Sequence, residues 1–213
     1  MSRIEPARPP YDREVAARLD AMMPPGVPPI GLFRTFVRNL PMSTAMGGWG
    51  SYELSKRLSL TMRDREIIID RTCARCRCEY EWGVHIAFFA ERVGLNDSQI
   101  RSITHGQSTD VCWVDDRDRL LIEVTDALHD AAQLGDDLWQ RLHAQLSDDQ
   151  ALDVFMLAGW YHAISYAANC AQVDLEPGGE RYIGVRPVSA RPAGRGVGVD
   201  RVRRRERAVS VVL

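Results

Sequence analysis

Apolar positions recur three and four residues apart through most of the chain, a spacing that predicts a helical body. "PPYDREVAARLDAMMPPG" gives a short helix closed by Pro24, Pro25 and Gly26. "LFRTFVRNL" is a second short periodic stretch. Pro41 fits the first turn of a third helix through "MSTAMGGWGSYELSKRL". Thr61 is placed to cap a helix that carries Asp64 and Glu66 near its positive end. A helix from about Glu79 to Val93 is stopped by Gly94, and "NDSQI" caps a short one to about Thr104. "HGQSTDVCWVDD" reads as a loop. Amphipathic helices follow over Asp115–Ala131 and Asp136–Leu146. Ser147 and Gln150 form a capping box for the longest helix, about Asp148 to Val173. That helix is apolar nearly all round and rich in small residues, so a core or subunit-interface position is expected.

Beyond "EPGGERYIGV" the periodicity ends. Three regions are therefore expected: an N-terminal helical arm over 1–40, a main domain over 41–185, and a disordered Arg-rich tail over 186–213. The run Arg201–Arg207 reads as a solvated tail.

Composition adds limits. The 213 residues suffice for one domain with a real core, and 45% hydrophobic with 26% charged residues is ordinary for a soluble protein. The net charge of −2 hides an asymmetry. Eight arginines and two acids lie from Arg186 onward, so the preceding residues hold 19 bases and 27 acids. An acidic body argues against nucleic-acid binding. No apolar run approaches the ~20 residues that span a membrane, and the N-terminus lacks the apolar core of a signal peptide. A cytoplasmic protein with reduced cysteines, five in number, is expected.

The chemistry concentrates in "CARCRCEYEWGVH", Cys73 to His85. Cys78, Glu81 and His85 are spaced i, i+3 and i+7, which puts them on one helix face. A Glu–His pair four apart suits proton transfer: the carboxylate orients the imidazole and raises its pKa. The CxxC pair Cys73 and Cys76 suggests thiol chemistry instead. Arg71, Arg75 and Arg77 are near in sequence, and any of them offers a cation to a substrate carboxylate. C-x2-C-x-C-x6-H does not repeat the paired knuckles of structural zinc sites, so neither metal nor cofactor is expected. His162 reads as a satisfied core histidine; His105, His129 and His143 read as surface residues.

"REIII", "CEYEWGVH" and "AERVGLNDSQI" together resemble the carboxymuconolactone decarboxylase and alkylhydroperoxidase D superfamily, over roughly Leu60 to Ile103. The resemblance implies an all-α, alkylhydroperoxidase D-like helical fold. It also implies a homo-oligomer, a trimer or hexamer before a dimer, with sites near subunit interfaces. The peroxidase branch carries a glutamate, a CxxC twelve residues on, and a histidine four past the second cysteine. Here Glu66 stands twelve before Cys78, and Glu81 occupies the second cysteine's place. "CARC" lies five residues too early.

The YEWxxH pattern therefore implies the decarboxylase-like branch and cofactor-free proton transfer on a small carboxylated lactone or enolizable acid. His85 is the expected general acid/base, Glu81 its partner and Glu66 an auxiliary. Tyr80, Trp82 and Arg71 are the candidate substrate-binding residues. Two alternatives stay open: an alkylhydroperoxidase or peroxiredoxin-type activity through Cys78, and a non-catalytic helical oligomer that binds a small ligand.

Overall fold

The computed structural model describes residues 2–182; the expected tail over 186–213 lies outside them. Among the described residues the secondary structure is entirely helical. The α-helices are α1 (Arg13–Ala21), α2 (Gly31–Phe36), α3 (Leu40–Glu53), α4 (Met62–Arg75), α5 (Glu79–Phe89), α6 (Asp97–His105), α7 (Asp116–Ala131), α8 (Asp136–His143) and α9 (Asp148–Ala171). A 3-10 turn, Val37–Asn39, joins α2 to α3.

The expected caps form. Thr61 and Asp64 exchange bonds in a capping box at the start of α4, Asn96 and Gln99 do so at α6, and Ser147 and Gln150 at α9. Several helices end earlier than periodicity suggests, and side chains of other helices hold the chain beyond their ends. Past α3, Asp153 of α9 accepts from the backbone N–H and hydroxyl of Ser59. Past α5, Arg63 donates to the carbonyl of Val93 at 2.6 Å, and Gly94 turns the chain at φ +69°.

Helix α4 is the centre of the fold. It packs against α5, α6, α7 and α9, and ten consecutive residues, Asp64 to Cys73, are buried. A helix enclosed on every side must satisfy its charges internally. Asp64 takes a bidentate bond from Arg117, Arg71 pairs with Asp126, and Arg65 pairs with Glu66.

Between α4 and α5 the chain reverses at Arg77, which sits in the left-handed region at φ +53°, while Cys78 N–H donates to the Cys73 carbonyl at 2.8 Å. This break separates the cysteines: Cys73 and Cys76 belong to the end of α4, and Cys78 becomes the residue before α5.

The last described segment, 174–182, straps across α5. Glu180 N–H donates to the Gly83 carbonyl at 3.0 Å, and Tyr182 packs on Trp82 with ring centroids 4.9 Å apart. Gly83 permits this approach: a Cβ there would lie 2.3 Å from the Glu180 carbonyl oxygen. No helix among the described residues is long and apolar enough to cross a membrane.

The expectation that α9 is buried nearly all round holds for one face only. Ala151, Val154, Leu157, Tyr161 and Ile164 enter the core. The opposite stripe, Leu152, Met156, Gly159, Ala163, Tyr166 and Cys170, is exposed, and no residue in it is charged.

Candidate functional site

The buried polar chain at the α4–α5 crossing holds most of the residues singled out from the sequence. These side chains are buried away from water, so they find their partners within the protein. Glu66 Oε2 bonds His85 Nδ1 at 2.7 Å. Its other oxygen, Oε1, accepts from Arg65 Nε at 2.7 Å. On the far side of the imidazole, Nε2 faces the Tyr161 hydroxyl of α9 at 3.1 Å and Glu81 Oε1 at 3.7 Å. The order in space is Arg65, Glu66, His85, then Tyr161 and Glu81.

Electrostatics follow from this order. Burial alone opposes charge on His85, but the Glu66 carboxylate against Nδ1 and the Glu81 carboxylate beyond Nε2 outweigh it and raise the pKa to about 10. His85 is therefore an imidazolium at neutral pH, not a group titrating near 7. The Tyr161 phenol is pushed well above its ordinary value, by burial first and then by Glu81 and Glu66, so it keeps its proton. Asp70, one turn from Glu66, is likewise raised by burial and by Glu66.

A cavity of about 80 Å³ opens on this array, walled by α1, α2, α3, α5 and α9. Glu81 and Tyr161 form its polar inner end, and Leu32, Phe36, Met46 and Ile164 its apolar sides. Oε2 of Glu81 is buried and has no hydrogen-bond partner among the described residues. Arg18 of α1 reaches the same cavity, steadied by its Nε bond to Ser43 Oγ at 3.1 Å. Gly47 makes room for its guanidinium: a Cβ there would lie 2.7 Å from Arg18 Nη1.

The geometry places the sequence candidates as follows. His85, Glu66 and Glu81 come together, but the short bond to His85 belongs to Glu66. Glu81 is the carboxylate that lines the cavity. Cys78 shares the face of α5 but is fully buried, and burial pushes its thiol up to about 11, past a lowering backbone bond near Glu81. It is a thiol at neutral pH.

The three candidate substrate-binding residues are engaged elsewhere. Tyr80 donates to Glu176 of the strap at 2.5 Å and accepts from Leu32 N–H at 3.0 Å. Trp82 lies in the core against Tyr182. Arg71 is spent on a bidentate pair with Asp126 and on the Ile103 and Gly106 carbonyls. None of the three lines the cavity. Arg75 is also paired, with Asp130.

Sequence reading missed Arg18 and Tyr161. Tyr161 stands beside His162 in "GWYHAISYAAN", but nothing local marks it as a partner of a residue 76 positions away. Arg18 lies in the N-terminal arm, and only the packing of α1 on α3 brings it to the site.

No protein-family model matches the chain, and no curated protein matches it. Among solved structures, it is similar to an uncharacterized peroxidase-related protein from Silicibacter sp. TM1040. The two superpose with a TM-score of 0.68 at 14% identity, over 80% of this chain and 88% of that one. At this identity the likeness concerns the fold: an all-helical arrangement shared with a peroxidase-related protein, in keeping with the alkylhydroperoxidase D-like fold that the sequence resemblance implies.

Proposed function

We propose that this protein is a cofactor-free lyase or isomerase acting by proton transfer on a small carboxylated lactone or enolizable acid. The observation that carries the reading is the cavity end: an unpartnered Glu81 carboxylate oxygen beside a Tyr161 phenol that is backed by the His85–Glu66 pair.

In this reading the substrate carboxylate pairs with Arg18 and its carbonyl oxygen accepts from Tyr161 O–H. His85 donates Nε2–H to the Tyr161 oxygen, which strengthens the phenol as a donor while its own charge is balanced by Glu66. For isomerisation, Glu81 removes a proton from carbon, the electron pair moves onto the enolate oxygen at Tyr161, and Glu81 returns the proton to a second carbon. For decarboxylation, the carbon–carboxylate bond breaks instead, its electron pair forms the same enolate, CO2 departs, and a proton taken from solvent is delivered to the carbon by way of Glu81. The small cavity favours substrates of a few heavy atoms, and Met22 and Met46 in its wall are flexible enough to yield to larger ones.

The direct test is decarboxylation or isomerisation of a panel of carboxylated lactones and enolizable acids, with Glu81→Gln and Tyr161→Phe beside the parent. Loss of turnover in both variants with retained binding supports the reading. Failure of the parent on every substrate that shifts its melting temperature sinks it.

The second reading, hydroperoxide reduction through Cys78, is favoured by one observation, the structural likeness to a peroxidase-related protein. Hydroperoxide turnover with a thiol reductant that vanishes in Cys78→Ser selects it. A non-catalytic ligand-binding role is selected by tight binding in the cavity without turnover. We also infer a homo-oligomer, supported by the uncharged exposed stripe of α9.

A further inference from the structure

Away from the Glu66–His85 array, three side chains from three helices converge. Cys76 closes α4, His129 lies in the last turn of α7, and His162 sits midway along α9. Their donor atoms all lie within 4.8 Å of one another. Cys76 is ten residues beyond Glu66, about 15 Å along the helix axis, and none of the three side chains lines the proposed catalytic cavity.

We propose that Cys76, His129 and His162 bind a zinc-class transition-metal ion, with three protein ligands and a fourth position open.

The donor chemistry is appropriate: one thiolate and two imidazoles are borderline-soft ligands of the kind zinc takes. The spacing is close to what a tetrahedral ion needs. His129 Nδ1 and His162 Nε2 are 2.9 Å apart, and Cys76 Sγ is 4.0 Å from His129 Nδ1. Metal–ligand lengths of about 2.05 Å for nitrogen and 2.3 Å for sulfur require separations of roughly 3.3 and 3.6 Å. These two pairs move by only a few tenths of an ångström, and Cys76 Sγ and His162 Nε2, which lie within 4.8 Å of each other, close by roughly 1 Å at most, within reach of side-chain rotation.

Outer groups already hold the ligands. His162 Nδ1–H donates to the Ala158 carbonyl at 2.7 Å, which fixes the tautomer with the Nε2 lone pair turned toward His129. Asn169 donates to the Cys76 carbonyl at 2.9 Å and pins the end of α4. Without a metal the two imidazoles share one proton between facing nitrogens. Binding replaces that bond: His129 shifts its proton to Nε2, and Cys76 gives up its thiol proton to solvent. All three ligands are half-buried, which leaves a path for the ion and a site for water or an external ligand.

None of the three residues carries this meaning in the linear sequence. The loud CxxC is divided, because Cys73 turns into the core and Cys76 faces the histidines.

The test is equilibrium dialysis of the full chain against Zn2+, followed by metal analysis, with Co2+ as a spectroscopic probe. The parent is expected to bind one equivalent, and the Co2+ form to show a thiolate charge-transfer band with tetrahedral d–d absorption. Cys76→Ser should abolish the charge-transfer band, and His162→Gln should weaken binding roughly tenfold or more. Cys112→Ser should leave both unchanged. His129→Gln, on a different helix, guards against a His162 variant that fails to fold, which circular dichroism will report. Absence of a stoichiometric ion in the parent overturns the proposal. So does an unchanged charge-transfer band in Cys76→Ser, or loss of the site in Cys112→Ser.

Discussion

Glu66 Oε2 and His85 Nδ1 lie 2.7 Å apart across the α4–α5 crossing, although 19 residues separate them in sequence. This bond keeps His85 charged in a site where burial alone would make it neutral. Nuclear magnetic resonance should therefore show no His85 titration between pH 6 and 8, with the transition near pH 10. In Glu66→Gln the transition should fall toward or below neutrality. The sign for stability is fixed by the same shift. A histidine raised above its unfolded value of about 6.5 contributes fully below that pH, and the contribution is lost as pH rises through about 10. Unfolding by urea between pH 6 and 10 should show that decline in the parent and a weaker one in Glu66→Gln.

Thiol reactivity tests the alternative chemistry. Cys78 is fully buried with its thiol raised to about 11, whereas Cys170 is exposed. Alkylation of the native protein at pH 7.5 should modify Cys78 on the order of a hundredfold more slowly than Cys170. Mass mapping reads this directly. Equal rates would favour the peroxidase reading.

Arg18 is the cation that reaches the cavity, steadied by Ser43 and given room by Gly47. Arg18→Gln should raise KM for a carboxylate substrate by roughly tenfold or more, with a smaller change in kcat, as loss of a charge-assisted bond predicts. Arg71→Gln should act on stability instead, since Arg71 holds Asp126 and the Ile103 and Gly106 carbonyls at the end of α6. A KM effect confined to Arg71 would refute this assignment.

Gly83→Ala tests the strap. The new methyl group would meet the Glu180 carbonyl at 2.3 Å, and the 174–182 segment must lift away. The expected cost is about 1–3 kcal/mol, read as a lower melting temperature. Trp82 fluorescence should change as Tyr182 leaves its ring.

The α9 stripe predicts assembly. Native mass measurement should give a multiple of 24.0 kDa, and Met156→Glu, which puts a charge in the stripe, should shift it toward the monomer. A monomeric parent would remove the oligomer inference.

Much of the helical framework was legible along the chain. Thr61, Asn96 and Ser147 announce their helices because capping is local: each side chain bonds a backbone group two or three residues on. Helix ends were less legible: α3 stops at Glu53 and α5 at Phe89, and the chain beyond them is held by Asp153 and Arg63 from other elements. The site divides in the same way. Glu81 and His85 lie four apart on one helix, so their shared face follows from helical geometry. Glu66 entered through a resemblance in spacing, and its short bond to His85 depends on how α4 crosses α5.

The sequence by itself determined the all-helical pattern, the caps and the Cys78–Glu81–His85 face, because these depend on neighbours within one or two turns. Tertiary structure alone decided that Glu66 charges His85, that Tyr161 and Arg18 complete the cavity, and that Cys76 meets two histidines. Those relations join residues from separate helices. They are set by packing around α4, where buried polar groups must find partners wherever the fold supplies them.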